Sequence, residues 1–274
     1  MILRVENFKD LETKKINLDK NLVSICVFGK EAGKYYKFLK NIYQTCKKNN
    51  IYLVISTVEE SLNAVTSKFD KTDDVFFISY SEKDLIKFPK LLRYLSPLFF
   101  NTNQFHYRDS DSLLIKKDIE IFEKHDFNSF PFLIIRDHLL HYYPVMAGMF
   151  SVSREIANFI AEEIIKSKSL SEFKNPITYD QDFLCEKIYR NFVDQIYVYS
   201  SSAIFSGENY TILERTSEYI GRPQYLNDEV KLPFFFRILK KNGFYFLPKF
   251  LLSNSKFFRA RFIGLVAIIY RIIK

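Results

Sequence analysis

The chain has 274 residues, of which 47% are hydrophobic and 26% charged. This composition is typical of a globular protein that has room for one sizeable core, or for one domain with an appendage. The three cysteines, Cys26, Cys46 and Cys185, are far apart and include no C-x-x-C pair. Their spacing argues against a disulfide framework and a structural zinc site, and no secretory signal is visible, so we expect a cytoplasmic setting.

The first part of the chain alternates predicted strands and helices. The predicted strands cover residues 21–28, 51–56 and 75–80, and the predicted helices cover residues 34–48 and 58–69. This alternation favours an α/β fold with a mostly parallel central sheet.

The middle of the chain continues the alternation. Helices are predicted at residues 81–95 and 116–124, and strands at 104–108 and 132–135. A further helix is predicted at residues 153–166, because its isoleucines recur on one face and Ser151 or Ser153 precedes it as a possible N-cap.

The last part of the predicted body is less regular. Residues 167–178 are polar and contain Pro176, so we expect a connection there. Beyond it, residues 180–192 are predicted to be helical and residues 195–199 to form a strand.

Two carboxylates follow the predicted strand at 104–108. Asp109 and Asp111 stand one residue apart, so the strand would deliver both to the carboxyl edge of the sheet, where open α/β folds bind ligands. Paired carboxylates suit a hard divalent cation, and a cation there suits a diphosphate. The alternative is a solvated acidic turn in which Asp111 or Ser112 caps the next helix.

Three more motifs accompany this pair in a fixed order. The sequence reads RDSDS at 108–112, RDHLLH at 136–141, Gly-Met at 148–149 and DQDFL at 180–184. Together these motifs resemble a family of bacterial glycosyltransferase-like proteins of capsule and lipopolysaccharide biosynthesis clusters, which has a GT-A type nucleotide-diphospho-sugar transferase fold. The resemblance extends from about residue 22 to residue 225.

The resemblance implies transfer of a sugar from a nucleotide-sugar donor to a hydroxyl of a capsule, lipopolysaccharide or O-antigen acceptor. Asp109 and Asp111 would be the D-x-D motif that holds Mn²⁺ or Mg²⁺ against the donor diphosphate, whose negative charge grows as it departs. Two departures put a third metal ligand and part of the phosphate contact in doubt. Related sequences carry a basic residue where this chain has Leu113-Leu114, and a His-Asp pair where it has residues 197–200.

Asp180 is the predicted general base that deprotonates the acceptor hydroxyl, and Asp182 and Asp137 are alternatives. A plain N-cap role at the start of a helix is the other interpretation of Asp180. The residues predicted to bind the donor are Arg108, Asp109, Asp111, Ser112, Arg136, His138, His141, Gly148 and Gln181.

Several of these donor-binding predictions have structural alternatives. Strand alternation points Arg108 away from Asp109, which favours a role in bracing the two aspartates over contact with phosphate. His138 and His141 are either ligands of metal, phosphate or acceptor, or a hydrogen-bonded structural pair. Gly148 allows close approach of backbone to a sugar ring, or close packing of two elements.

The net charge of +8 is concentrated in the C-terminal segment. Residues 231–274 carry ten Lys and Arg and no Asp or Glu, so this segment holds +10 and the remainder −2 (8 − 10). Its last apolar stretch, residues 262–270, is far shorter than the roughly 20 residues that span a bilayer. We therefore expect a GT-A-like catalytic domain at 1–230 and, at 231–274, a basic amphipathic tail that lies on an anionic membrane surface.

The alternative is that the tail packs against the domain at 1–230. Nucleic-acid binding by the tail is disfavoured, because no recognition motif accompanies its charge. The prediction is thus a peripheral enzyme on the inner face of the plasma membrane. Two other functions stay open: a catalytically inactive membrane-surface assembly protein of a glycan-biosynthesis complex, and a sugar-phosphate transferase.

Overall fold

The computed structural model describes ten parts of the chain: residues 1–6, 15–29, 32–70, 74–81, 87–138, 141, 143–166, 178–214, 216 and 218–222. The predicted basic tail and nearly all of the predicted connection at 167–178 lie outside the described residues. The division into residues 1–230 and 231–274 therefore stays a prediction.

A nine-stranded sheet forms the centre of the fold, in the order β1-β5-β4-β3-β7-β9-β8-β10-β11. Its strands are β1 (Ile2–Val5), β3 (Leu22–Val27), β4 (Tyr52–Val58), β5 (Val75–Tyr80), β7 (Gln104–Arg108), β8 (Phe132–Arg136), β9 (Met149–Ser153), β10 (Ile196–Ser200) and β11 (Asn209–Ile212). Two short strands, β2 (Ile16–Asn17) and β6 (Phe100–Asn101), pair separately.

All pairings in the large sheet are parallel except those of β9, which runs antiparallel to β7 and β8. The prediction of an α/β fold with a mostly parallel central sheet is confirmed.

Helices cover both faces of the sheet. They are α1 (Ala32–Lys48), α2 (Glu59–Thr66), the 3₁₀ helix Pro89–Leu98, α3 (Lys116–Lys124), α4 (Arg154–Lys166) and α5 (Tyr179–Phe183). Neighbouring strand residues enter opposite cores: Leu22 packs with the 3₁₀ helix and α4, whereas Val23 packs with α1 and α3. The central strands are buried on both faces, as expected of a parallel sheet between helical layers.

Two predicted helices differ from the observed elements. Within residues 81–95 the structure describes a 3₁₀ helix that starts at Pro89 and contains Pro97, whose missing N–H disfavours regular α-helix. The predicted helix at 180–192 is α5 followed by a π turn at Leu184–Ile188 and a 3₁₀ turn at Tyr189–Asn191.

The predicted serine cap of the helix at 153–166 is wrong. The Ser151 hydroxyl lies 2.8 Å from Nδ1 of His106, and the Ser153 hydroxyl is buried without a hydrogen bond to any described residue. Both serines belong to β9, whose alternation directs them away from the helix terminus.

Candidate functional site

The candidate site lies at the carboxyl edge of the sheet, which three parallel strands and the start of β9 share. The register places Arg108 of β7 opposite Met149 of β9, and Arg136 of β8 opposite Ser200 of β10. The residues that follow β7 and β8 therefore emerge at the same edge as the turn that precedes β9.

Arg93, on the 3₁₀ helix, joins two of the predicted site residues. Its side chain is 3% exposed, and it donates to Oδ1 of Asp109 at 2.5 Å and to Oδ2 of Asp180 at 3.1 Å. It also donates to the carbonyl oxygens of Arg108 and Lys90, each at 3.1 Å. Arg93 thus fixes the D-x-D turn relative to α5.

Asp180 is held in a buried, positively charged environment. Its side chain is 4% exposed, and Nζ of Lys90 lies 3.9 Å from Oδ1. Burial raises the pKa of Asp180, while the Arg93 and Lys90 charges act in the opposite direction. Oδ1 accepts no hydrogen bond from any described residue. Asp180 therefore binds Arg93 through one oxygen, while among the described residues its other oxygen has the 3.9 Å ion pair with Lys90 and no hydrogen bond.

Asp109 and Asp111 lie close enough to interact electrostatically. The side chain of Asp109 is 45% exposed, and burial raises the pKa of Asp111 to about 6, with the negative charge of Asp109 as the second cause. Two carboxylates that repel each other provide oxygen ligands suited to a divalent cation. Among the described residues, no three His, Cys, Asp or Glu side chains converge as a metal-binding group. Mg²⁺ in proteins usually takes most of its ligands from water and substrate oxygens, with only one or two carboxylates.

Gly148 packs directly against Asp109. A Cβ atom built on Gly148 would lie 2.2 Å from Cγ of Asp109, a distance that no side chain tolerates. The adjacent Met149 is buried, and Met146 is only partly buried. The contact that requires glycine here is therefore with the D-x-D turn.

Arg108 does not brace the two aspartates, and this prediction is wrong. Its buried guanidinium donates to Asp118 at 2.9 Å and to the carbonyl oxygens of Tyr107 and Phe150 at 2.7 and 3.0 Å. Alternation along β7 turns Arg108 toward α3, and the bracing role falls to Arg93.

Arg136 is also engaged in the interior. Its NH1 and NH2 groups donate to Oε2 and Oε1 of Glu208 at 2.8 and 2.6 Å, and NH1 donates to the carbonyl oxygen of Ala203. The structure places this guanidinium in a buried ion pair that connects the end of β8 to the segment before β11.

Asp137 lies beside residues 219–221, which cross the carboxyl edge. Oδ2 of Asp137 accepts hydrogen bonds from Nζ of Lys117 at 2.8 Å and from the backbone of Ile220 at 3.1 Å. The Ser112 hydroxyl donates to the Gly221 carbonyl at 3.3 Å. The strap 219–221 therefore connects the turn after β7 with the turn after β8.

His138 and His141 form an aromatic cluster with Tyr219. His138 stacks on Tyr219 with ring centroids 4.1 Å apart, and the His141 ring lies 5.5 Å from that of His138. Burial lowers the pKa of His141 to about 3, and His138 acts in the same direction, so His141 is neutral at physiological pH.

Asp182 and Gln181 are less buried than Asp180. Oδ2 of Asp182 accepts a hydrogen bond from the Thr178 hydroxyl at 2.8 Å, and burial raises its pKa. The structure brings Asp180, Asp109 and Gly148 together through Arg93 and the D-x-D turn. It places Asp137 and Arg136 in separate buried contacts.

The sequence interpretation missed Arg93 and Lys90. Arg93 stands inside the apolar run Leu91-Leu92-Arg93-Tyr94-Leu95. A charged residue in a segment that is otherwise suited to the core is a signal of a buried ion pair, because such a charge is rarely buried unless it is paired.

Comparison with known proteins yields similarity to solved structures alone. No protein-family model matches the chain, and no curated protein matches it. A galactosyltransferase LgtC in complex with donor and acceptor sugar analogs is 14% identical; the match covers 66% of this chain and 73% of that one, with a TM-score of 0.49.

A glycosyltransferase involved in glycosylation of the major capsid of PBCV-1 is 13% identical over 66% of this chain and 82% of that one, with a TM-score of 0.43. A 4-diphosphocytidyl-2C-methyl-D-erythritol synthase from Anaerococcus prevotii is 6% identical over 65% and 86%, with a TM-score of 0.39. These proteins differ in activity, so the similarity does not assign one to this chain.

Proposed function

We propose that the protein is a nucleotide-sugar-dependent glycosyltransferase with a GT-A type fold. One observation supports this function above the others: Asp109 and Asp111 end a parallel strand at the carboxyl edge, and Arg93 joins their turn to the buried Asp180. One guanidinium thus holds Asp109, one member of the proposed cation-binding pair, and the candidate base Asp180. This arrangement is suited to activating a hydroxyl beside a diphosphate leaving group.

In this function Asp109 and Asp111 hold Mn²⁺ or Mg²⁺. When bound, the ion would neutralise the charge that grows on the departing nucleoside diphosphate. Arg93 orients Asp109 through its 2.5 Å contact, and Gly148 leaves the space in which that carboxylate lies.

Asp180 acts as the general base. Arg93 holds Oδ2 of Asp180, so Oδ1 takes the proton of the acceptor hydroxyl. The hydroxyl oxygen attacks the anomeric carbon at the same time. The buried environment favours a basic carboxylate, because burial raises its pKa.

The acceptor we propose is a hydroxyl of a surface glycan of the capsule, lipopolysaccharide or O-antigen type, presented at the inner face of the plasma membrane. Ten cations and no acids at 231–274 support attachment to an anionic surface. The strap 219–221, which precedes the tail in the sequence, contacts Ser112 beside Asp111. No described helix has both the length and the apolarity to span a bilayer.

A thermal-shift panel of common sugar nucleotides, with and without Mn²⁺, tests the donor site. Binding to the native state raises the melting temperature in proportion to affinity, so we expect one nucleotide class to stabilise the protein in the presence of the ion. If no sugar nucleotide stabilises the protein and none is hydrolysed, the proposed enzyme function is wrong.

A non-catalytic assembly protein is the second candidate, because the positive charge of Arg93 beside Asp109 weakens the attraction of that carboxylate for a cation. Replacing Asp111 by Asn separates the two functions. An enzyme would lose metal-dependent donor binding, whereas an assembly protein would keep its membrane attachment and lose nothing. Mass analysis of the product separates sugar transfer from sugar-phosphate transfer.

A further inference from the structure

A gap between Lys90 and Asp180 has the chemistry of a hydroxyl-binding site. Nζ of Lys90 is 3.9 Å from Oδ1 of Asp180, which is too long for a direct hydrogen bond. Oδ1 is buried and accepts no hydrogen bond from the part of the chain that the structure describes. A buried carboxylate oxygen in this condition requires a partner, since leaving it unsatisfied destabilises the fold.

One oxygen atom can form hydrogen bonds with both groups. Two hydrogen bonds of about 2.8 Å each bridge a separation of 3.9 Å when they meet at a single atom. An ammonium group only donates, and an ionised carboxylate only accepts. A hydroxyl can donate to Oδ1 and accept from Nζ at the same time, so the pair selects a hydroxyl or a water molecule over a charged or apolar group.

Both sides of the gap are held in place. Arg93 binds the other oxygen of Asp180 at 3.1 Å. The backbone N–H of Lys90 donates to the Tyr179 hydroxyl at 2.7 Å, and the Lys90 ammonium lies 5.4 Å from the centre of that ring. The Lys90 side chain is 30% exposed and that of Asp180 is 4% exposed, so Lys90 stands on the solvent side.

We propose that Lys90 is a substrate-binding residue that holds the reacting hydroxyl of the acceptor against Asp180. The assignment of that hydroxyl to an acceptor rests on the proposed glycosyltransferase function. In the transfer step the hydroxyl proton moves to Oδ1, and its oxygen forms a bond to the anomeric carbon. The bond from that carbon to the phosphate oxygen breaks, and its electron pair leaves with the nucleoside diphosphate.

A crystal structure of the full chain soaked in glycerol tests the gap without any assumption about the reaction. We expect a glycerol or water oxygen within about 3.2 Å of both Nζ of Lys90 and Oδ1 of Asp180. A direct contact between the two side chains, with no oxygen between them, would overturn the proposal.

Kinetics test the role in transfer. Lys90→Met keeps the apolar stem and removes the charged donor, and Lys87→Met removes an exposed lysine three residues away as the matched control. With a sugar nucleotide that binds the wild type, we expect Lys90→Met to lower hydrolysis at least about tenfold, because a hydrogen bond from a charged group is lost. Donor affinity should stay within about twofold, and Lys87→Met should match the wild type.

Equal hydrolysis rates in both variants, or a loss of donor affinity in Lys90→Met, would contradict the proposed role of Lys90. If the wild type binds no sugar nucleotide, the proposed glycosyltransferase function is wrong, but the hydroxyl-binding site is still tested by the glycerol structure. The glycerol structure also tests that site if Lys90→Met does not fold.

Discussion

Gly148 lies so close to Asp109 that a larger residue would displace the Asp109 side chain. In Gly148→Ala the new methyl group would lie 2.2 Å from Cγ and 2.6 Å from Oδ1 of Asp109. The Asp109 side chain must therefore turn away, and it loses its contact with Arg93. Because Asp109 is half exposed, it can move without unfolding the protein. We expect Mn²⁺-dependent nucleotide binding to weaken at least about tenfold, as when the support of a metal ligand is removed.

Calorimetry of nucleotide binding with Mn²⁺ and with EDTA checks this expectation, and the metal-free titration is the control. If Gly148→Ala binds as tightly as the wild type in the presence of Mn²⁺, Asp109 has no role in holding the ion.

His141 makes stability depend on pH. Burial holds its pKa at about 3 in the folded state, whereas an unfolded histidine titrates near about 6.5. The unfolded state therefore binds more protons as the pH falls below that value, and the folded state loses stability by up to about 1.4 kcal/mol per pH unit.

We expect His141→Gln to reduce the slope of the unfolding free energy against pH between about 6 and 4. The reduction should correspond to the uptake of one proton fewer on unfolding. Urea denaturation across that range measures the slope. The buried His106, whose pKa burial also lowers, should keep part of the dependence in both proteins. An unchanged slope in His141→Gln would show that His141 is protonated in the folded state.

At this scale the sequence pointed to Asp109, Asp111 and Asp180, since acids that follow strands or begin helices stand out in a pattern, and to Gly148 through its motif. The roles of these residues stay predictions. The sequence did not predict Arg93 as the link between them. Spacing along the chain cannot show which side chain of another element fills the gap between two carboxylates.

The buried ion pair of Arg136 and Glu208 connects β8 to the segment before β11. Both side chains are fully buried, and two hydrogen bonds of 2.6 and 2.8 Å join them. Glu208→Gln keeps the shape but leaves the Arg136 charge without its partner. We expect the free energy of unfolding to fall by about 3–5 kcal/mol.

Chemical denaturation measures this loss, with Glu162→Gln as the control. Glu162 pairs with Lys166 on the exposed face of α4, where a salt bridge contributes little, so that variant should denature like the wild type. A Glu208→Gln protein as stable as the wild type would show that the pair is not essential to the fold.

Among the elements, the interior strands were the most predictable. β3, β4 and β5 are apolar runs bounded by polar residues, and the structure confirms them. The edge strand β11 is exposed at all four residues, so it leaves no apolar pattern to detect. The sequence also did not predict β9. This strand lies antiparallel between β7 and β8, and which strands pair depends on the tertiary structure.

On the scale of the whole molecule, binding to vesicles tests the proposed attachment of the basic tail 231–274 to an anionic membrane. We expect the full chain to sediment with vesicles that contain phosphatidylserine, and to be released as salt rises, because screening weakens attraction between charges. Vesicles of phosphatidylcholine alone should bind less.

Replacing Lys240 and Lys241 by Glu should weaken this binding, whereas Lys116→Glu, at a highly exposed side chain of α3, should not. Equal binding of both vesicle types by the wild type would contradict an electrostatic role for the tail.

We propose above all that Asp109 and Asp111 form a cation-dependent site for a nucleoside diphosphate. Titration calorimetry of uridine- and guanosine-diphosphate sugars, with Mn²⁺ and with EDTA, tests it in the wild type, Asp111→Asn and the control Asp194→Asn, whose side chain is exposed on another part of the surface. We expect the wild type and Asp194→Asn to bind one donor more tightly with Mn²⁺ than with EDTA, and Asp111→Asn to show no such difference. Binding that is the same with Mn²⁺ and with EDTA, or that survives unchanged in Asp111→Asn, would contradict the proposal.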